Sequence, residues 1–529
     1  MARKTATALL LIGCMALAGC AGGTSNSPSK SVGRHPTPLP MGPNGGAAPN
    51  RGAAPNGGAP NGALAATGAA QRGTTADSAD TADSAAFGAE LDPADYPQST
   101  FAMDVDTASY GYARNLINQG QRPAPSEVRP EEFVNAFRQD YPQPAGNGFN
   151  IQLDGARLPG THRPRPGGDV RLLRIGLQTR AEQPDERTDA ALTFVIDVSG
   201  SMGEPGKLDL VKDALHTLVD QLRPTDSVAI VTFSDEAKVL RSMTPVSARS
   251  QLHAAIDRLR TESSTNLEAG LVKGYQTARQ GFRPGVTNRV ILLSDGLANM
   301  GDTEAASILA QVREEADKQI TLLGVGVGND YGDALMEQLA DHGDGIAVYV
   351  SERDQARQVF VNQLPANLTL RALDAKVQVT FDPRTVAAYR LIGYDDRALD
   401  SSAFRDDRVD GGEVGPGHSV TALYTVRLRE GAAGTVAHAQ IRWQDPATRE
   451  ANEKGATIGV SDLGAGFTDA SPRLWVDYAA AYLAESLRHS PYGAEVSLSS
   501  LAAIAGSAAD RTDDSAVTDL AALIRRAAG

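Results

Sequence analysis

The stretch that decides the fold is Leu192-Thr193-Phe194-Val195-Ile196-Asp197-Val198-Ser199-Gly200-Ser201-Met202-Gly203. It opens as a mainly apolar run of strand length, the pattern of a buried strand in an α/β sheet. The run then breaks into Asp197-x-Ser199-x-Ser201. One carboxylate and two hydroxyls at alternate positions are hard oxygen ligands, suited to a small divalent cation that keeps some of its waters. Gly200 lets the backbone turn tightly, so that both hydroxyls can face one point. Open α/β sheets bind ligands at the carboxyl ends of their strands. Taken alone, the same pattern also fits a strand end followed by a helix cap.

Two later loops extend the set. Thr265 lies in Ser263-Ser264-Thr265-Asn266-Leu267, just ahead of a helical stretch, and Asp295 ends the apolar run Arg289 to Ser294. With these residues the chain resembles the von Willebrand factor A (VWA) family, whose metal-ion-dependent adhesion site joins D-x-S-x-S to a Thr and an Asp from two later loops. The resemblance implies that Asp197, Ser199, Ser201, Thr265 and Asp295 hold a divalent cation, Mg²⁺ first, with Mn²⁺ or Ca²⁺ open. It also implies one vacant coordination position, filled by an acidic side chain of a partner protein.

Residues 187–364 alternate apolar strands with amphipathic helices, which predicts a Rossmann-like, mostly parallel sheet with helices on both faces. Leu208, Val211, Leu215, Leu218 and Leu222 mark the first helix, and further helices are expected at Ala248 to Leu259, Asn266 to Gln280 and Thr303 to Lys318. The run Gly324-Val325-Gly326-Val327-Gly328 lacks the G-x-G-x-x-G spacing, so no nucleotide site is expected there.

The flanks carry a different pattern. Residues 93–148 read as a helical segment with Tyr112, Leu116 and Ile117 on one face and Asp106 or Thr107 as N-cap. Three stretches in it resemble a segment that precedes the A domain in a set of bacterial A-domain lipoproteins: Asp104 to Tyr110, Val128 to Glu132 and Tyr141 to Pro144. Residues 149–186 hold two strand-like runs. Residues 365–529 begin as alternating strands, including Val420, Ala422, Tyr424, Val426 and Leu428 on one face, and end in amphipathic helices. A lone hairpin is only marginally stable. The runs within 149–178 are therefore expected to pair with strands at 374–444, building one antiparallel β-sandwich from both flanks.

The chain starts with a targeting segment, residues 1–19. Arg3 and Lys4 precede the short apolar stretch Ala8 to Ala18. Leu17-Ala18-Gly19-Cys20 resembles the bacterial lipoprotein signal, which implies cleavage before Cys20 and acylation, palmitate included, at its thiol and new amino terminus. Ala21 rather than Asp after the cysteine favours the outer membrane by the same resemblance. No later run reaches about 18 apolar residues, so the membrane contact expected is the lipid anchor alone. Residues 20–92, rich in Gly, Ala, Pro and Asn, cannot bury enough surface to fold and read as a disordered tether. Roughly 70 such residues span on the order of 45 Å.

A net charge of −14 argues against a nucleic-acid partner, which would need basic surface. Cys14 and Cys20 are the only cysteines, so no disulfide framework holds the folded part. The expected function is an envelope-anchored, divalent-cation-dependent protein-binding module of adhesion type. Two alternatives are a scaffold subunit of an envelope complex with a structural metal, and a metal-dependent hydrolase. The hydrolase is disfavoured because no His lies beside the five positions, His216 and His253 read as structural, and no G-x-S-x-G surrounds Ser199. No catalytic residue is expected.

Overall fold

The computed structural model describes residues 88–529 apart from 104–105, 164–167, 182–186, 297–301, 317, 329–333, 344, 346, 351–358, 361–369, 408, 410 and 447, and without the side chains of 302–306, 334, 337 and 341–342. The expected signal segment, Cys20 and nearly all of the tether lie outside the described residues.

In chain order the elements are β1 (Gln98–Ala102), α1 (Ala108–Asn118), α2 (Pro130–Asn135), β2 (Phe149–Arg157) and β3 (Asp169–Thr179). The central domain follows with β4 (Ala190–Asp197), α3 (Leu208–Gln221), β5 (Ser227–Phe233), β6 (Ala237–Pro245), α4 (Arg249–Asp257) and α5 (Leu267–Gln280). It closes with β7 (Thr287–Ser294), α6 (Asp302–Ala316), β8 (Ile320–Val327), α7 (Ala334–His342) and β9 (Ala347–Val350). The second flank holds β10 (Ala372–Phe381), β11 (Val386–Ile392), β12 (Ala398–Leu399), β13 (Gly412–Val414), β14 (Ser419–Leu428), β15 (Thr435–Gln444) and β16 (Ala451–Gly459). Three helices end the chain, α8 (Pro472–Leu487), α9 (Leu498–Thr512) and α10 (Ser515–Ala528).

The central sheet runs β6-β5-β4-β7-β8-β9, parallel except for the antiparallel edge strand β6. Every residue of β4 is buried, as a strand covered on both faces requires. Its side chains alternate between two cores. Leu192, Phe194 and Ile196 pack with α3 and α4, while Val195 packs with α5 and α6. Gly274 lets α5 sit tight on the sheet, for a Cβ there would lie 2.3 Å from Val195 Cγ2.

The flanks join as the hairpin argument expects. β3 pairs with β14 along its length, Gln178 opposite Ser419 through Asp169 opposite Leu428. The resulting sheet β11-β14-β3-β2 faces a second one, β12-β1-β10-β15-β16 with β13 beside β10. Leu173, Ile175, Leu177 and Tyr424 from the first meet Val377, Val379, Ala439 and Ile441 from the second in one core. Outside the sandwich, Tyr110, Phe133 and Phe137 of the first flank share a core with Trp475, Tyr478 and Tyr482 of α8.

Three details differ from the sequence reading. The 93–148 segment is not wholly helical, because Gln98–Ala102 forms β1 and pairs with β10, Phe101 opposite Val377. The edge strand β6, carrying Lys238, Arg241 and Ser242, showed no apolar pattern to reveal it. Thr107 is the N-cap of α1 but makes no side-chain capping bond, while Asp106 Oδ1 accepts from the backbone N–H of Ala347, 3.0 Å away. That bond ties the first flank to the central sheet.

Candidate functional site at the ends of β4 and β7

β4 and β7 are parallel neighbours, with Ile196 opposite Leu293. Their carboxyl ends therefore bring Asp197 beside Ser294, and Asp295 follows. Asp197 is fully buried. Its Oδ2 accepts from Ser294 Oγ at 2.7 Å and its Oδ1 from the backbone N–H of Ser199 at 2.8 Å. Burial pushes this carboxyl above its ordinary range; the bonds from Ser294 and Ser199 oppose that rise, and the charge of Asp295 adds to it.

The turn after β4 places the two serines. Ser199 Oγ and Ser201 Oγ are 3.0 Å apart, and Ser201 Oγ donates to Asp295 Oδ1 at 3.0 Å. Asp197, Ser199, Ser201 and Asp295 thus form one linked group of oxygen donors, open to solvent through the exposed Ser201. The 261–266 loop runs alongside. Glu262 N donates to Val198 O at 2.6 Å, and Asn266 N to Ser234 O at 2.7 Å. Thr265 stands exposed between these two anchors, with no hydrogen bond to the other four among the described contacts. Ser264 just before it adopts φ +68, uncommon for a non-glycine residue.

The sequence reading missed Lys207. Its Nζ is buried and lies 2.9 Å from Asp295 Oδ2 and 2.9 Å from Glu204 Oε2. Its stem fills the space that a side chain at Gly328 would need, with Cε 2.8 Å from an added Cβ. A signal was present, since Lys207 is the N-cap of α3, where the helix dipole disfavours a cation. Such a lysine has to be held by something else, and here Asp295 and Glu204 hold it.

The donors are hydroxyl and carboxylate oxygens, which fit a hard cation that retains water. Two carboxylates alone do not make a protein cage, and among the described residues no three His, Cys, Asp or Glu side chains are assembled as one. Any cation held here would have to draw on Ser199 and Ser201 as well.

Comparison with known proteins agrees with this architecture. Residues 191–362 match the family model of the von Willebrand factor type A domain, residues 83–164 one described as von Willebrand factor, and residues 366–436 one described as the C-terminal region of the uncharacterized protein YfbK. The chain is a VWA-domain-containing protein. More particularly, it is related to the uncharacterized protein YfbK of Escherichia coli (strain K12), at 36% identity over 345 residues, 63% of this chain and 59% of that protein. The uncharacterized protein sll0103 of Synechocystis is 31% identical over 204 residues, 38% of this chain and 47% of that one. The chain thus spans less than two thirds of the length of either relative. A solved structure, von Willebrand factor type A from Catenulispora acidiphila, is similar at 17% identity and a TM-score of 0.41, covering 65% of this chain and 80% of that one.

Proposed function

We propose that the chain is an envelope-anchored, cation-dependent protein-binding module. Asp197, Ser199, Ser201 and Asp295 would hold a divalent cation, Mg²⁺ foremost, with Thr265 joining directly or through water. The observation that carries this reading is the convergence of two hydroxyls and two carboxylates from separate strands at one open sheet end. A cation bound there would supply positive charge and a place for an anionic ligand.

Lys207 sharpens the kind of partner. Leaving aside Glu204, which meets the same ammonium from the solvent side, Asp197, Asp295 and Lys207 leave the strand ends with a single negative charge. A divalent cation turns this into a single positive charge in a partly desolvated place, which attracts an anionic group. An acidic side chain of a protein partner satisfies both the charge and the vacant position. The lipidated Cys20 and the tether would present the module at the outer membrane. No helix among the described residues is long and apolar enough to cross a membrane. We favour binding over turnover: among the described residues no imidazole hydrogen-bonds to the oxygen donors as a general base would.

The test is capture of partners from native envelope with Mg²⁺ and with chelator, using the wild type and Asp197→Ala. Capture that needs Mg²⁺ and is lost in the variant supports the reading. Equal capture in all four cases overturns it.

A further inference from the structure

His216 and Asp220 stand four residues apart on α3, and His253 and Asp257 stand four apart on α4. Each helix therefore turns one imidazole and one carboxylate to the same side. The helices pair them crosswise. His216 Nε2 lies 3.2 Å from Asp257 Oδ1, and His253 Nε2 lies 3.1 Å from Asp220 Oδ1. The rings lie edge to edge, with centroids 4.9 Å apart, planes at 18° and their Nδ1 atoms 2.7 Å from each other. Both imidazoles are partly open to solvent, at 31% and 28% exposure. None of the four side chains belongs to the strand-end site.

A carboxylate on Nε2 favours the tautomer with its proton there, which leaves the lone pair on Nδ1. With both rings so fixed, two lone pairs face each other at hydrogen-bond distance and repel. Two imidazolium rings would instead set two N–H groups head to head. The contact becomes favourable only with a single cation between the nitrogens, either a shared proton or a metal ion. Histidines that ligate metals characteristically donate their other N–H to a carboxylate, and both rings already have that carboxylate.

We propose that His216 and His253 form a second cation site, binding a transition-metal ion of the Zn²⁺ class through their two Nδ1 atoms. Asp220 and Asp257 orient the rings, and water completes the coordination. Imidazole nitrogen selects Zn²⁺, Cu²⁺ or Ni²⁺ over the hard Mg²⁺, so the two sites on this domain take different ions. With Zn–N bonds of about 2.0–2.1 Å and a tetrahedral angle, the nitrogens stand about 3.3 Å apart. The rings then part by about 0.6 Å, and any proton held between them leaves to solvent as the metal enters. Two chain ligands and water make an open site, of roughly micromolar rather than structural-zinc affinity.

Calorimetric titration of the tag-free full chain with Zn²⁺, in excess Mg²⁺, tests this. One Zn²⁺ per chain is expected. His216→Gln and His253→Gln should each weaken it by roughly tenfold or more, and Asp220→Asn by about tenfold to a hundredfold. Asp197→Ala should leave it unchanged, which separates this site from the strand-end one. Circular dichroism checks that each variant folds. Absence of saturable Zn²⁺ binding in the wild type, or wild-type affinity in the His216→Gln/His253→Gln double variant, overturns the proposal.

Discussion

Lys207 shows how one side chain sets the character of a site built from two hydroxyls and two carboxylates. Its ammonium cancels one of the two carboxylate charges at the strand ends. Replacing it, as Lys207→Met, should tighten Mg²⁺ binding by roughly tenfold, about 1.4 kcal/mol. The same change should lower the melting temperature in chelator, where Asp295 loses its partner. Calorimetry and thermal melts read the two effects separately, and weaker Mg²⁺ binding in the variant would show that the charge balance is misassigned. The Asp-x-Ser-x-Ser turn was legible in the sequence because its donors alternate directly after an apolar strand. Lys207 carried only one weak signal, a cation at a helix start where the dipole disfavours it, and its partner Asp295, far along the chain, could not be read from the sequence.

Among the elements, legibility followed burial. β4 and β7 are covered on both faces and read as apolar runs, whereas β6 is half-exposed and polar, so only its pairing with β5 identifies it. Helix α5 was readable from its periodicity and from Asn266, whose side chain accepts from Ala269 N at 3.0 Å. Its close seat on the sheet was not, since that depends on Val195 lying against Gly274. Gly274→Ala should destabilise the central domain by about 1–3 kcal/mol, read from denaturant unfolding, because the added methyl overpacks a core with no room. At the start of β14, desolvation pushes the His418 imidazole down to about 4. As pH falls below about 6.5 the unfolded chain takes up this proton before the folded one does. His418 therefore contributes stability above that pH, and loses it progressively towards pH 4. Thermal melts should fall less steeply across this window for His418→Gln than for the wild type.

At the scale of the whole molecule, buried charge joins the two flanks. Arg174 on β3 reaches Asp154 on β2 at 2.6 Å and Asp477 on α8 at 2.9 Å, and its guanidinium lies over the Tyr141 ring, 5.3 Å from the centroid. Arg174→Met should cost about 3–5 kcal/mol, because it strands the fully buried Asp477 without its cation. Gln139 Nε2 also donates to Asp477 Oδ1, at 2.6 Å, and a loss below about 1 kcal/mol in denaturant unfolding would show that this bond alone holds Asp477. That the flanks combine could be argued from the weakness of an isolated hairpin, but the partner strand and its register could not, since several alternating runs downstream offered the same face. The β3–β14 ladder has a further consequence for how the molecule comes to be. Residues 169–178 emerge early in synthesis and meet 419–428 only after the whole intervening domain has been made. Until then β3 waits with a bare edge, so a chain cut short after residue 364 should aggregate or be degraded, even where its central domain has folded.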